Sequence, residues 1–121
     1  MASSSDAPFA PAVRVGDHAW VSGAVALDQS GQVVGADTNE QARAAFANMS
    51  DALAGVQMTL SNVVQTRIFL TPNADWAAVA RVFKEAFADV RPAATMVRVH
   101  SLALPELLLE IEVTAVDQEQ P

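Results

Sequence analysis

Glu110 and Glu112 stand two residues apart in a run, residues 107–116, that is otherwise apolar except for Thr114. Side chains alternate across a strand, so Leu109, Ile111, Val113 and Ala115 take one face and Leu108, Glu110, Glu112 and Thr114 the other. A carboxylate on such a face has two uses. Desolvated, it holds its proton more tightly and can act as a general base or acid. Otherwise it accepts backbone donors or an arginine at an interface. Glu110 is open to both uses, and Glu112 reads as the partner of a cation such as Arg98. The rest of the inventory is thin. Ser22 has no base visible beside it to activate a hydroxyl nucleophile. His18 and His100 are the only histidines, neither at HExxH spacing, so no metal site is expected. His18 follows a turn and reads as exposed. The absence of cysteine removes disulfides, thiolate ligands and a cysteine nucleophile together.

The 121 residues suffice for one domain, with 51% hydrophobic and 17% charged residues, a composition that folds. Seven basic against 14 acidic residues give a net charge of −7. The basic residues are scattered singly, so neither a phosphate backbone nor an anionic membrane surface finds a complementary patch. The N-terminus has neither the positive start nor the apolar run of a signal peptide, and no apolar stretch approaches the ~20 residues of a membrane span. A cytoplasmic protein without nucleic-acid or membrane partners is expected.

These residues are positioned by a pattern that changes period. Gly16-Asp17 is a two-residue hairpin turn, and Asp28-Gln29-Ser30-Gly31 marks a second turn, between 25–27 and 33–34. Ala42, Ala45, Phe46, Met49, Ala52, Leu53 and Val56 recur at helical steps. Thr38 with Gln41 predicts a capping box for this helix, and Gly55 a left-handed stop. Residues 63–70 form a β-branched strand. A second helix is predicted from an Asn73 cap, burying Trp76, Val79, Ala80, Phe83 and Phe87, and Trp20 also reads as core. Arg91-Pro92 closes that segment, before strands at 94–100 and 107–116. The order is βββαβαββ, an α/β domain of six strands over residues 9–117, with tails at 1–8 and 118–121. Two helices cover one face of a mixed sheet, and self-association is the economical cover for the other.

Several segments carry a family resemblance. They are Ala12-Val13-Arg14-Val15-Gly16-Asp17 with Val21-Ser22-Gly23, Gln41-Ala42-Arg43 through Asn48, Arg91-Pro92-Ala93-Ala94-Thr95-Met96-Val97, and Leu109 through Val116. In order and spacing the chain resembles the Rid (reactive intermediate deaminase, YjgF-type) proteins. The resemblance implies a chorismate-mutase-like fold, a homotrimer, and a cleft between each pair of subunits that binds a small molecule without metal or cofactor. Its deaminating members hydrolyse enamines and imines of α-keto acids. An arginine grips the substrate carboxylate, and a glutamate on the last strand positions water.

Carried across position by position, the glutamate is Glu110 and the Ser-Gly pair is Ser22-Gly23. The early tyrosine is Phe9, the helix asparagine is Ala80, the cysteine is Met96, and the arginine is Ala94. A lost bidentate arginine removes charge-assisted hydrogen bonds of about 1.5–3 kcal/mol each and the aim of the substrate at water. Arg98 lies four residues further, about 13 Å along the strand, too far for the same task. Glu110 is thus the expected catalytic residue, and Phe9, Ser22, Gly23, Ala80, Ala94, Met96 and Arg98 the expected binding residues. Backbone groups near Gly23 and Met96 would add polar support. The expected ligand is an enamine or imine without a clamped carboxylate. A non-catalytic binding trimer is the alternative, and the ribonuclease activity ascribed to some relatives is disfavoured by the charge.

Overall fold

The computed structural model describes residues 7–118; the outer parts of both expected tails, 1–6 and 119–121, lie outside the described residues. Seven elements of regular structure build the sheet and its cover. They are β1 (Ala12–Val15), β2 (His18–Ala24), α1 (Thr38–Ala54), β3 (Val63–Leu70), α2 (Trp76–Phe87), β4 (Ala93–Arg98) and β5 (Leu109–Val116). The strands form one five-stranded mixed sheet in the order β1-β2-β5-β3-β4. Only β3 and β4 run parallel, joined across α2, while the other pairs are antiparallel.

Last in sequence, β5 is central in space. Leu109, Ile111, Val113 and Ala115 are buried and Glu110, Glu112 and Thr114 are not. The buried set meets Leu70, Ile68 and Thr66 of β3 and Val21 and Ala19 of β2. Over it lie Met49 and Leu53 of α1 and Val79, Val82 and Phe87 of α2. Phe46 joins the two helices through Phe83 and Phe87 at ring separations of 6.4 and 6.1 Å. Each fully buried aliphatic side chain contributes about 1.5–3 kcal/mol. The opposite face carries Val13, Trp20, Arg67, Phe69, Thr95 and Val97 beside the two glutamates, with no helix over it.

The expected sixth strand does not form. Residues 25–34 make a single antiparallel bridge, Leu27 to Val33. The side-chain amide of Asn48 on α1 donates to the carbonyls of Val25 (2.8 Å) and Leu27 (2.9 Å), diverting the acceptors a strand ladder would need. The Asp28–Gly31 turn is present, with Gly31 at φ +87°, as is the Gly16-Asp17 turn between β1 and β2.

Helix ends differ from expectation for identifiable reasons. The cap of α1 is Asp37, whose carboxylate accepts from the Glu40 amide while Glu40 accepts from the Ala36 amide, a reciprocal pair one residue earlier than predicted. Thr38 and Gln41 are buried instead as cross-links. Thr38 Oγ1 accepts from the Asp75 amide, and Gln41 ties the Glu106 carbonyl and the Leu108 amide to α1. Gly55 is right-handed (φ −65°), and Gln57 takes the left-handed turn at φ +60°. Arg14 donates to the Val56 carbonyl there, satisfying a helix-end acceptor. The cap of α2 is Asp75, not Asn73. Trp76 therefore falls in the first turn and is 57% exposed, and Trp20, on the uncovered face, is 47% exposed. Neither tryptophan is core.

Replacing Ile111 by alanine at the centre of the buried face should cost about 2–5 kcal/mol. Urea unfolding measures this, and a loss below 1 kcal/mol would contradict the placement of β5 at the centre of the core.

Candidate functional site

Glu110 is half-buried on β5, with Phe69 as its cross-strand partner on β3 and Glu112 two residues along the same face. Among the described residues it takes no ion pair and no hydrogen bond. Glu112 is paired, through Arg67 Nη1 at 3.3 Å, and this pair is well exposed. Burial pushes the Glu110 carboxyl above the ordinary glutamate value of 4.5, and the charge of Glu112 pushes it further in the same direction.

Gly23 creates the room this carboxyl occupies. The register of β2 against β5 shifts between Val21 and Ala24, a bulge that brings the Gly23 backbone under Glu110. A Cβ at residue 23 would collide with Oε2 and Cδ of Glu110. Next to it, Ser22 Oγ donates to the Ala10 carbonyl at 2.6 Å and the Ser22 amide to the Pro11 carbonyl at 2.9 Å. Ser22 thereby holds the N-terminal arm that carries Phe9, itself 65% exposed. Its hydroxyl is engaged as an anchor.

The structure brings Glu110, Ser22, Gly23 and the Phe9 arm to one region and leaves the other four expected residues elsewhere. Ala94, Met96 and Arg98 pair with Thr66, Ile68 and Leu70, so they share the helix-covered side of the sheet, at its outer edge. They stand two strands from Glu110, about 10 Å across, on the opposite face. Met96 packs against the core, and Ala94 is exposed. Ala80 lies partly buried on α2. Within one chain Arg98 does not pair with Glu112. Its guanidinium donates to the carbonyls of Thr71 (2.9 Å) and Ala74 (3.0 Å), closing the loop that leads into α2. His100 lies beyond the end of β4 and is exposed. Arg67 and Phe69 were not among the expected residues, yet the alternation of residues 63–70 already sets them on one face. Only the pairing with β5 reveals that this is the face of Glu110.

Among the described residues no group of three or more metal-ligating side chains exists, and no helix is long and apolar enough to cross a membrane.

A single α/β domain with a half-covered mixed sheet and an unpaired carboxyl on its open face is the class these observations define. The Endoribonuclease L-PSP family profile matches residues 1–117. The 3-aminoacrylate deaminase RutC of Acinetobacter baylyi is 34% identical over 106 residues, 87% of this chain and 83% of that protein. The human 2-iminobutanoate/2-iminopropanoate deaminase is 32% identical over 111 residues, 90% of this chain and 80% of that protein. The crystal structure of Rv2704 from Mycobacterium tuberculosis, a member of the YjgF/YER057c/UK114 family, superposes with a TM-score of 0.84 at 34% identity. That match covers 96% of this chain and 92% of that one. The chain belongs to the YjgF/Rid family.

The raised Glu110 pKa has a signed consequence. Because the folded state holds this proton more tightly than the unfolded chain, stability falls as pH rises from 4.5 through the raised value. Glu110→Gln should remove that fall and leave the variant at least as stable as wild type at neutral pH. Thermal unfolding from pH 4 to 8 tests it, and parallel pH profiles for the two proteins would refute it.

Proposed function

We propose that this protein binds and hydrolyses a small enamine- or imine-type metabolite in clefts between the subunits of a homotrimer, with Glu110 handling the water. The observation that carries the reading is an unpaired, half-buried carboxyl with a raised pKa, seated on a glycine bulge of an uncovered face. Its residue type and place fit the water-positioning glutamate that the family resemblance implies. In the reaction an enamine tautomerises to its imine, water adds across the C=N bond, and collapse of the adduct releases ammonia and leaves a carbonyl. Glu110 takes a proton from the water and returns it to the departing nitrogen.

The assembly follows from the split of the expected residues. Ala94 and Met96 cannot reach Glu110 within one chain, and another copy can bring its β4 edge to this face. The cover also buries Val13, Trp20 and Val97, which one chain leaves exposed. A closed three-fold ring with a chorismate-mutase-like arrangement satisfies every copy equally. Equilibrium sedimentation is expected to give three times the 12.7 kDa chain mass, and a monomer at micromolar concentration would defeat this arrangement.

Substrate choice follows from Ala94. Without a cation at residue 94 a substrate carboxylate loses the partner the resemblance implies, so the substrate is read as uncharged at that end. A non-catalytic binding trimer is the second reading, favoured by the apolar residues at 9, 80, 94 and 96. Ammonia release from 2-aminoacrylate generated in situ separates the two. Wild type should be slow, its carboxamide counterpart faster, and Ala94→Arg should raise the rate on the carboxylate about 10–100-fold. Glu110→Gln should abolish release in either background. Silence on both substrates and in the Ala94→Arg variant would favour the non-catalytic reading.

A further inference from the structure

Arg67 and Glu112 face each other across the β3–β5 ladder, and Phe69 faces Glu110 two residues along. All four side chains lie on the open side of the sheet. Directly opposed residues hold their Cβ atoms about 4.5–5.5 Å apart, and diagonal neighbours, such as Arg67 and Glu110, lie about 7–8 Å apart. An arginine side chain is long enough to span either distance. Arg67 Nη1 lies 3.3 Å from Glu112 Oε2, and Glu110 takes no ion pair among the described residues.

Among the described strand residues of the open face, Arg67 is the only lysine or arginine. From β2, Ser22 and Gly23 bring no charge to Glu110, and neither does the arm at 7–11. His18 pairs with Val116, six residues along β5 and about 20 Å away. The two helices cover the other face. Two carboxylates therefore compete for one guanidinium. The Arg67–Glu112 pair is well exposed and contributes little to folding. Its effect is on where the guanidinium sits. Burial and the Glu112 charge both hold the Glu110 proton. A guanidinium turned to Glu110 would favour the ionised form and occupy the oxygens that exchange protons with water.

We propose that Glu112 is a positioning residue: its place directly opposite Arg67 holds the guanidinium off Glu110 and keeps that carboxyl unpaired. The arrangement belongs to one chain and stands without the deaminase reading, whereas its effect on turnover rests on that reading.

Carbon-13 NMR of the Glu110 side chain, followed through an acid-to-neutral titration of the full chain, reads the arrangement directly. Glu112→Gln should lower the Glu110 midpoint, because it removes a like charge and releases Arg67 to pair. Arg67→Met should raise it, since Glu112 is then unbalanced. In the Arg67→Met background Glu112→Gln removes only the like charge, so its downward shift should be smaller than with Arg67 present. Equal shifts in the two backgrounds, or no lowering by Glu112→Gln, would overturn the proposal. Both changes fall on an exposed pair and should leave the fold intact. Ammonia release from the carboxamide counterpart of 2-aminoacrylate should fall about tenfold in Glu112→Gln and recover when Arg67→Met is added. Lost release with an unmoved Glu110 midpoint would make Glu112 merely structural and end the proposal. Midpoints in the expected order without ammonia release from any of these proteins would support the role of Glu112 and sink the deaminase reading instead.

Discussion

Everything in this molecule depends on β5 being central while only one side of the sheet has a cover. A strand in the middle of a sheet has its backbone satisfied on both edges, so its side chains alone decide what each face is for. Four apolar residues on one side hold both helices, and the core closes around them. The other side presents Glu110, Glu112 and Thr114 in the most protected lane of an open face. A carboxyl there is partly stripped of water by the sheet itself, without a deep pocket. The same alternation that makes the core therefore leaves a carboxyl with a raised pKa on the open face.

That much is legible in the sequence, because a period of two leaves little freedom. Apart from the third strand, which does not form, the element order and the two faces of β5 followed from spacing. What failed were features settled by distant partners. Thr38 and Gln41 have the chemistry of a capping box, yet Asp37 and Glu40 take the cap and free them to tie α1 to the α2 cap and to the segment before β5. Residues 25–34 have the composition of a strand pair, and one amide from α1 outcompetes the ladder. Trp20 was assigned to the core by its size and spacing, and the face it occupies had no signature until β2 was paired with β5.

The candidate site divides in the same way. Glu110, Ser22 and Gly23 belong together for a reason no linear spacing displays. A bulge in β2 and the missing Cβ of Gly23 are both needed before the carboxyl can lie on the strand. Arg98 was weighed as an ion-pair partner, a natural use for a lone cation near acids. Three backbone carbonyls, of Thr71, Pro72 and Ala74, instead converge on it. Backbone acceptors carry no mark in a sequence, so such a role is invisible at that level.

Alanine at residue 94 then acts twice in the proposed assembly. An arginine brought by a neighbouring copy would grip a carboxylate, and its charge would also favour the ionised form of Glu110 and draw its pKa down. In that proposed assembly, Ala94 and Met96 would add desolvation without a counter-charge, in the same direction as the burial that already raises the Glu110 pKa. Losing the clamp and raising the carboxyl are thus a single change seen from two sides.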